Sequence, residues 1–139
     1  MAYVDNTATS CSQYPGGNFG LSLVASSGTN YFYCWVDWNG DLDFNDAGET
    51  VVATTSYTSS YASTSLQVPA GTAVGSYRMR VALSEISAIT ACGPAPYGNY
   101  MDYTFNVVAP PTCLPPTALT ATGLSYTGCL LYTSDAADD

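Results

Sequence analysis

Residues 31–37 read YFYCWVD, and this stretch decides the fold class. Successive side chains of a β-strand point to opposite faces of the sheet. Here both faces are apolar: Phe32, Cys34 and Val36 form one, and Tyr31, Tyr33 and Trp35 form the other. An apolar pattern on both faces predicts an interior strand with at least one packed aromatic face.

Further short runs on either side of this stretch also have the character of strands. Residues 77–83 place Tyr77, Met79, Val81 and Leu83 on one face, and residues 101–107 repeat that alternation. The other strand-like runs are residues 21–24, 50–55 and 63–68. Turn residues separate these runs, and no segment has a helical period. The sequence therefore predicts an all-β fold, a β-sandwich of antiparallel strands of the Ig-like or jelly-roll type, with essentially no helix.

The composition excludes several classes of function. The chain has 139 residues, a net charge of −9 and only two basic residues, so nucleic acid and anionic membrane surfaces are not expected partners. No apolar stretch approaches the roughly 18 residues of a membrane span, so membrane insertion is not expected. Histidine is absent, which removes the usual base for a serine or cysteine nucleophile. We expect no enzymatic activity.

The cysteines bear on the compartment. Cys11, Cys34, Cys92 and Cys113 form an even set in a small β-rich chain, which favours an oxidising environment. Four cysteines allow three pairings, and the sequence does not choose among them.

Composition changes divide the chain into four segments. Residues 1–108 are predicted to form the sandwich. Residues 109–116, with four prolines in eight positions, are predicted to form an extended linker. Residues 117–128 alternate again and resemble the first strand of a fibronectin type III domain that has been cut short. Residues 129–139, CLLYTSDAADD, resemble translated sequencing-adapter sequence and are expected to be an artefact.

Residues 37–49, DWNGDLDFNDAGE, carry the strongest chemical signal, because five of the thirteen are acids. Alternate acidic residues in a tight loop can direct several oxygens at one hard cation. The loop resembles an EF-hand loop, but Leu42 replaces the turn glycine and the final glutamate comes one position late. We therefore predict a strand-loop-strand Ca²⁺ site, and the alternative is a solvated acidic loop. The predicted ligands are Asp37, Asn39, Asp41, Asp43 and Glu49.

Three stretches also carry a family resemblance: residues 35–49, 66–81 and 91–107 resemble the GEVED domain. The resemblance spans about residues 20–108 and implies a module of large secreted or cell-surface bacterial proteins, found beside peptidase and fibronectin type III modules. It also implies that the start of the domain is missing. In the naming motif, GNYMD, Gly98 and Asp102 are kept, whereas Asn99 and Met101 replace the two glutamates.

Together these features favour a non-catalytic, calcium-stabilised accessory or adhesion module, extracellular or on the cell surface. Its expected partners are neighbouring domains of the same polypeptide and possible polysaccharide or surface-protein ligands. The alternative is a carbohydrate-binding module on a secreted degradative enzyme, with Tyr31, Tyr33, Trp35 and Trp38 as the sugar-stacking surface. Arg78 and Arg80 are either a binding pair for carboxylates or sugars, or a structural pair that faces solvent or bonds to Asp102 or Glu85.

Overall fold

A computed structural model describes residues 2–94 and 96–112, and these residues form seven strands and no helix. The described part of the chain therefore contains no helix that could cross a membrane. The strands are β1 (Ala2–Gln13), β2 (Asn18–Val24), β3 (Tyr31–Val36), β4 (Thr50–Ala53), β5 (Ser60–Gln67), β6 (Gly75–Ser84) and β7 (Gly98–Val107). The prediction of an all-β fold is confirmed, and β2 to β7 each overlap one of the predicted runs.

The strands form two sheets. The larger has the order β1-β7-β6-β3-β4, and the smaller pairs β2 with β5. Strand β3 is hydrogen-bonded on both sides, as its two apolar faces predict. Every neighbouring pair is antiparallel except β1 and β7, which run parallel, so the larger sheet is mixed. The parallel pair lies at the edge of the sheet, where β1 is largely exposed and polar, and the sequence had not indicated a strand there.

The main core lies between the two sheets. The inward face of β6 contributes Met79 and Val81, and the inward face of β7 contributes Phe105 and Val107. Phe105 is fully buried, and its ring packs edge-on against Phe19 of β2 at 4.9 Å and Trp38 at 5.1 Å. This packing confirms the inward faces predicted for both strands.

A second apolar cluster covers the opposite face of the larger sheet. The rings of Tyr33 and Trp35 stack at 5.4 Å, and loop residues such as Phe44 and Ile89 close over them. Both faces of β3 are therefore buried. Since Trp35 and Trp38 are buried, with 4% and 8% of their surface exposed, they cannot form an open sugar-stacking surface.

The cysteines do not all pair. Cys11 is disulfide-bonded, whereas Cys34 and Cys92 are free thiols. Cys34 is a core side chain, and its burial raises the pKa of the thiol to about 12, which keeps it protonated. The expectation that all four cysteines form disulfides is therefore wrong for Cys34 and Cys92. Cys113, the rest of the predicted linker, the fibronectin-like strand and the adapter-like tail lie outside the described residues.

Candidate metal-binding loop

The acidic loop joins β3 to β4 and is organised from below by Asp37. This residue directly follows β3, and only 3% of its surface is exposed. Its carboxylate accepts the backbone N–H groups of Gly40 at 2.7 Å, Asp41 at 3.2 Å and Leu42 at 3.0 Å. A carboxylate with several N–H donors can remain charged inside a protein. Asp37 therefore folds the first half of the loop around its own side chain.

The alternate spacing of the polar residues also has a structural role. In three successive turns, the side-chain oxygen of Asn39, Asp41 or Asp43 accepts the backbone N–H two residues later, at distances between 2.8 and 3.1 Å. Turns of this kind are characteristic of Asn and Asp. Asp41 and Asp43 each use one carboxylate oxygen in this way, and the second oxygen of each is left for a side chain or an ion.

Three carboxylates meet at the surface of this loop. Asp41, Asp43 and Asp46 each place one oxygen within 4.8 Å of the others, a group that could hold a metal ion. The amide nitrogen of Asn39 donates to Asp41 at 3.0 Å and to Asp46 at 2.5 Å. A neutral amide offsets the repulsion between these charges less than a divalent cation would. The donor set consists of oxygens only, which suits Ca²⁺.

Glu49 closes the loop from beneath. It is 1% exposed, and its carboxylate accepts the N–H groups of Trp38 and Asp46, both at 3.1 Å. Burial raises the pKa of Glu49, and the negative charges of Asp37 and Asp46 raise it further, against the opposing effect of the two N–H donors. A cation near the cluster would favour the charged form of this group.

The backbone of the loop is unusual at the position where an EF-hand loop has its turn glycine. Leu42 adopts a φ of +79°, the left-handed conformation in which glycine is favoured, and Gly40 has a φ of +75°. A non-glycine residue in this region is strained by about 1–2 kcal/mol. Leu42 is also 89% exposed, so packing does not compensate this strain.

The two arginines share one buried partner. Asp102 has no exposed surface, and it accepts hydrogen bonds from Arg80 at 2.7 and 2.8 Å and from Arg78 at 2.8 Å. The hydroxyl of Tyr3 donates to the same carboxylate at 3.0 Å. Burial acts to raise the pKa of Asp102, but these bonds and the charge of Arg80 outweigh it and lower the pKa. The structural pair with Asp102 is thereby confirmed, although Arg80 is mostly buried and does not face solvent.

The naming motif now has a physical explanation at its two kept positions. Asp102 is the hub of the arginine pair. Gly98 lies so close to β6 that a Cβ atom there would come within 2.5 Å of the carbonyl oxygen of Leu83. The replaced positions differ, because Asn99 is exposed and Met101 packs on the main core. Asp102 therefore orders the sheet near the acidic loop, whereas Gly98 permits close packing at the opposite end of β6, beside Ser84.

The structure arranges the predicted ligands in two tiers. Asp41 and Asp43 meet at the surface, with Asn39 hydrogen-bonded beside them, whereas Asp37 and Glu49 lie below and accept backbone N–H groups. The ligand roles of all five stay predictions. Asp46 was missed because it lies three positions after Asp43 and so breaks the alternation, but its place among the five acids was a usable signal.

Fold and loop together define a β-sandwich module with an acidic loop compatible with a metal ion. The chain belongs to the GEVED domain family, whose model matches residues 31–106, more than half of the chain. The match covers β3 to β6, nearly all of β7, and the whole acidic loop. GEVED domains occur in bacterial multidomain proteins. No curated protein and no solved structure gives a significant match to the chain.

Proposed function

We propose that this chain is a non-catalytic accessory module of a secreted or cell-surface bacterial protein, with an acidic loop stabilised by Ca²⁺. The observation that carries the proposal is the convergence of Asp41, Asp43 and Asp46 above a loop already shaped by Asp37 and Glu49. Oxygen ligands at this density match the demands of Ca²⁺, and extracellular modules bind it with dissociation constants of about 0.1–1 mM. Its partners would be neighbouring domains of the same polypeptide.

The proposed shell differs from the sequence prediction in its members. The surface carboxylates of Asp41, Asp43 and Asp46 bind the ion directly, and Asn39 can supply its amide oxygen if the amide rotates. Asp37 and Glu49 act from below by fixing the backbone, since their carboxylates are engaged with N–H donors. An adhesive role would follow if the stiffened loop or its neighbours meet a surface protein or polysaccharide.

Thermal melts test whether calcium stabilises the module. At free Ca²⁺ of about ten times Kd, linkage adds about 1.4 kcal/mol, which raises Tm by several degrees in a domain of this size. The measurement compares melts in EDTA and in millimolar CaCl₂. Asp41→Ala should abolish the shift, whereas Asp5→Ala, outside the loop, should preserve it. Identical melts with and without calcium, together with no heat in a calcium titration, would leave only a solvated acidic loop.

Asp46→Asn separates the proposed shell from one built on the five residues predicted from sequence. Removing this charge while keeping the side-chain shape should weaken Ca²⁺ binding by about tenfold, since affinity in such loops follows the number of charged ligands. Calcium titration calorimetry gives the comparison with the wild-type chain. Glu85→Asn removes an acid outside the loop and is the control. An unchanged Kd for Asp46→Asn would exclude that residue from the shell.

A further inference from the structure

The guanidinium group of Arg80 lies in an aromatic enclosure. Its Cζ atom is 5.3 Å from the ring centroid of Phe44, 5.6 Å from that of Tyr100 and 5.8 Å from that of Tyr3. Its third nitrogen donates to the carbonyl oxygen of Ala91 at 2.8 Å. Cations at such distances from aromatic rings are attracted to them. Arg80 is therefore held from several sides, and Asp102 supplies the charged contact.

Phe44 connects this enclosure to the acidic loop. It follows Asp43 directly in the chain, only 7% of its surface is exposed, and it packs in the outer apolar cluster with Trp35 and Tyr100. Its neighbour Asp43 is one of the three converging carboxylates. Phe44 therefore fixes the acidic half of the loop to the sheet, and Arg80 is one of the residues that contact the Phe44 ring.

We infer that Asp102 is a positioning residue for the acidic loop: it fixes Arg80 beneath Phe44 and so holds Asp43 and the carboxylate cluster in place. A long arginine side chain has much rotamer freedom, and the two-point contact with a carboxylate removes it and sets the plane of the guanidinium. Without Asp102, the guanidinium would turn toward water, because the charged end of an arginine side chain prefers solvent when it has no buried partner. Phe44 would then lose its cationic contact.

Asp102 also neutralises positive charge beside the loop. Arg78 and Arg80 are the only basic residues of the chain, and with Asp37, Leu42 and Phe44 they line a cleft of about 190 Å³ next to it. Unpaired arginines at that place would repel a bound cation. Both effects predict weaker calcium binding when Asp102 is neutralised, and this consequence rests on the proposed function.

Hydrogen exchange in EDTA tests the positioning without reference to any metal. In Asp102→Asn, the loop amides that bond to side chains, those of residues 38, 40–43, 45 and 46, should exchange at least about tenfold faster than in the wild type. Phe44→Leu keeps an apolar side chain but removes the ring, and it should give the same pattern. Leu83→Ala, a variant that weakens the main core at the opposite end of β6 from the loop, controls for general loss of stability and should leave these amides protected. Wild-type exchange in Asp102→Asn would overturn the inference.

Calcium titration supplies the second measurement. Residues that orient a metal's ligands typically change affinity by about 10- to 100-fold when mutated, and a rise of Kd in this range is expected for Asp102→Asn. If Asp102 acts through Phe44, the double variant Asp102→Asn/Phe44→Leu should have a Kd for Ca²⁺ no higher than that of whichever single variant binds more weakly. If the losses of binding free energy in the two single variants add up in the double variant, Asp102 does not act through Phe44. Arg80→Lys keeps the charge but loses the two-point contact, and it replaces Asp102→Asn if that variant does not fold.

The two measurements separate the failure of one idea from the failure of the other. A wild-type chain that binds no Ca²⁺ would overturn the proposed function alone, because exchange in EDTA still reports whether Asp102 orders the loop. Conversely, a wild-type chain that binds Ca²⁺ with a Kd unaffected by Asp102→Asn would overturn the positioning role and leave the calcium site standing. Asp5→Asn, the same chemical change at an exposed position of the neighbouring strand, should alter neither readout.

Discussion

Phe105→Ala is expected to lower the free energy of unfolding by about 3–5 kcal/mol, the usual range for removing a buried phenylalanine ring. Phe105 has no exposed surface and lies where the two sheets meet, with ring contacts to Phe19 and Trp38. Its removal leaves a cavity between the ring of Phe19 on β2 and the ring of Trp38 in the acidic loop. Urea denaturation followed by far-ultraviolet circular dichroism measures the loss, which is large against the 5–15 kcal/mol typical of whole domains.

Tyr97→Ala is the matched control for that experiment. It also removes an aromatic ring, but this ring is 64% exposed. Surface substitutions of this kind change stability by less than about 0.5 kcal/mol. Comparable losses in the two variants would mean that Phe105 does not lie in a shared core between the sheets.

Asp102→Asn is the second variant with a large expected effect, a loss of about 3 kcal/mol at neutral pH. Breaking a buried ion pair leaves the other charge without a partner. Here the loss of stability comes mainly from the unpaired charge of Arg80, because Arg78 is half exposed and water can solvate its charge when Asp102 is neutralised. Urea denaturation at pH 7 gives the value, and Asp5→Asn at an exposed position is the control.

The pH dependence of the same variant provides an independent check. The pKa of Asp102 is lowered in the folded protein, so its contribution to stability is complete above the unfolded value of about 3.9 and is lost as pH falls through the folded value. The stability difference between wild type and Asp102→Asn should therefore shrink as pH falls below about 3.9. A difference that stays constant from pH 7 to pH 2.5 would show that the charge of Asp102 is not the source of the effect.

Sequence alone was informative wherever burial imposed a pattern. The face of β6 that carries Met79 and Val81 and the face of β7 that carries Phe105 follow directly from alternation, because the core accepts only apolar side chains there. Strand β1 could not be found in this way. It is an exposed edge strand, and its hydrogen bonds to β7 depend on backbone groups that every sequence possesses.

The acidic loop was located correctly, but the roles within it could not be read from spacing. Asp37 and Asp41 have the same side chain and lie four residues apart, yet one is buried under the loop and the other is exposed at its surface. The difference comes from the position of the loop on β3, which local sequence does not encode. The hydrogen-bonded ion pair of Asp102 with Arg80 joins residues 22 positions apart, and it depends on the register in which β6 pairs with β7, which the sequence does not specify.

The parallel pairing of β1 with β7 determines how the module would respond to mechanical tension. In a multidomain protein, force enters and leaves through the polypeptide on either side of a domain. A pull on the start of β1 and the end of β7 would draw the two strands past each other along two paired stretches, Ala2–Asp5 beside Asn99–Asp102 and Ser10–Gln13 beside Thr104–Val107. The hydrogen bonds between them lie across this direction, so they would bear the load together instead of opening one at a time. A strand pair loaded in this way makes a domain suited to transmit force along a chain of modules without unravelling.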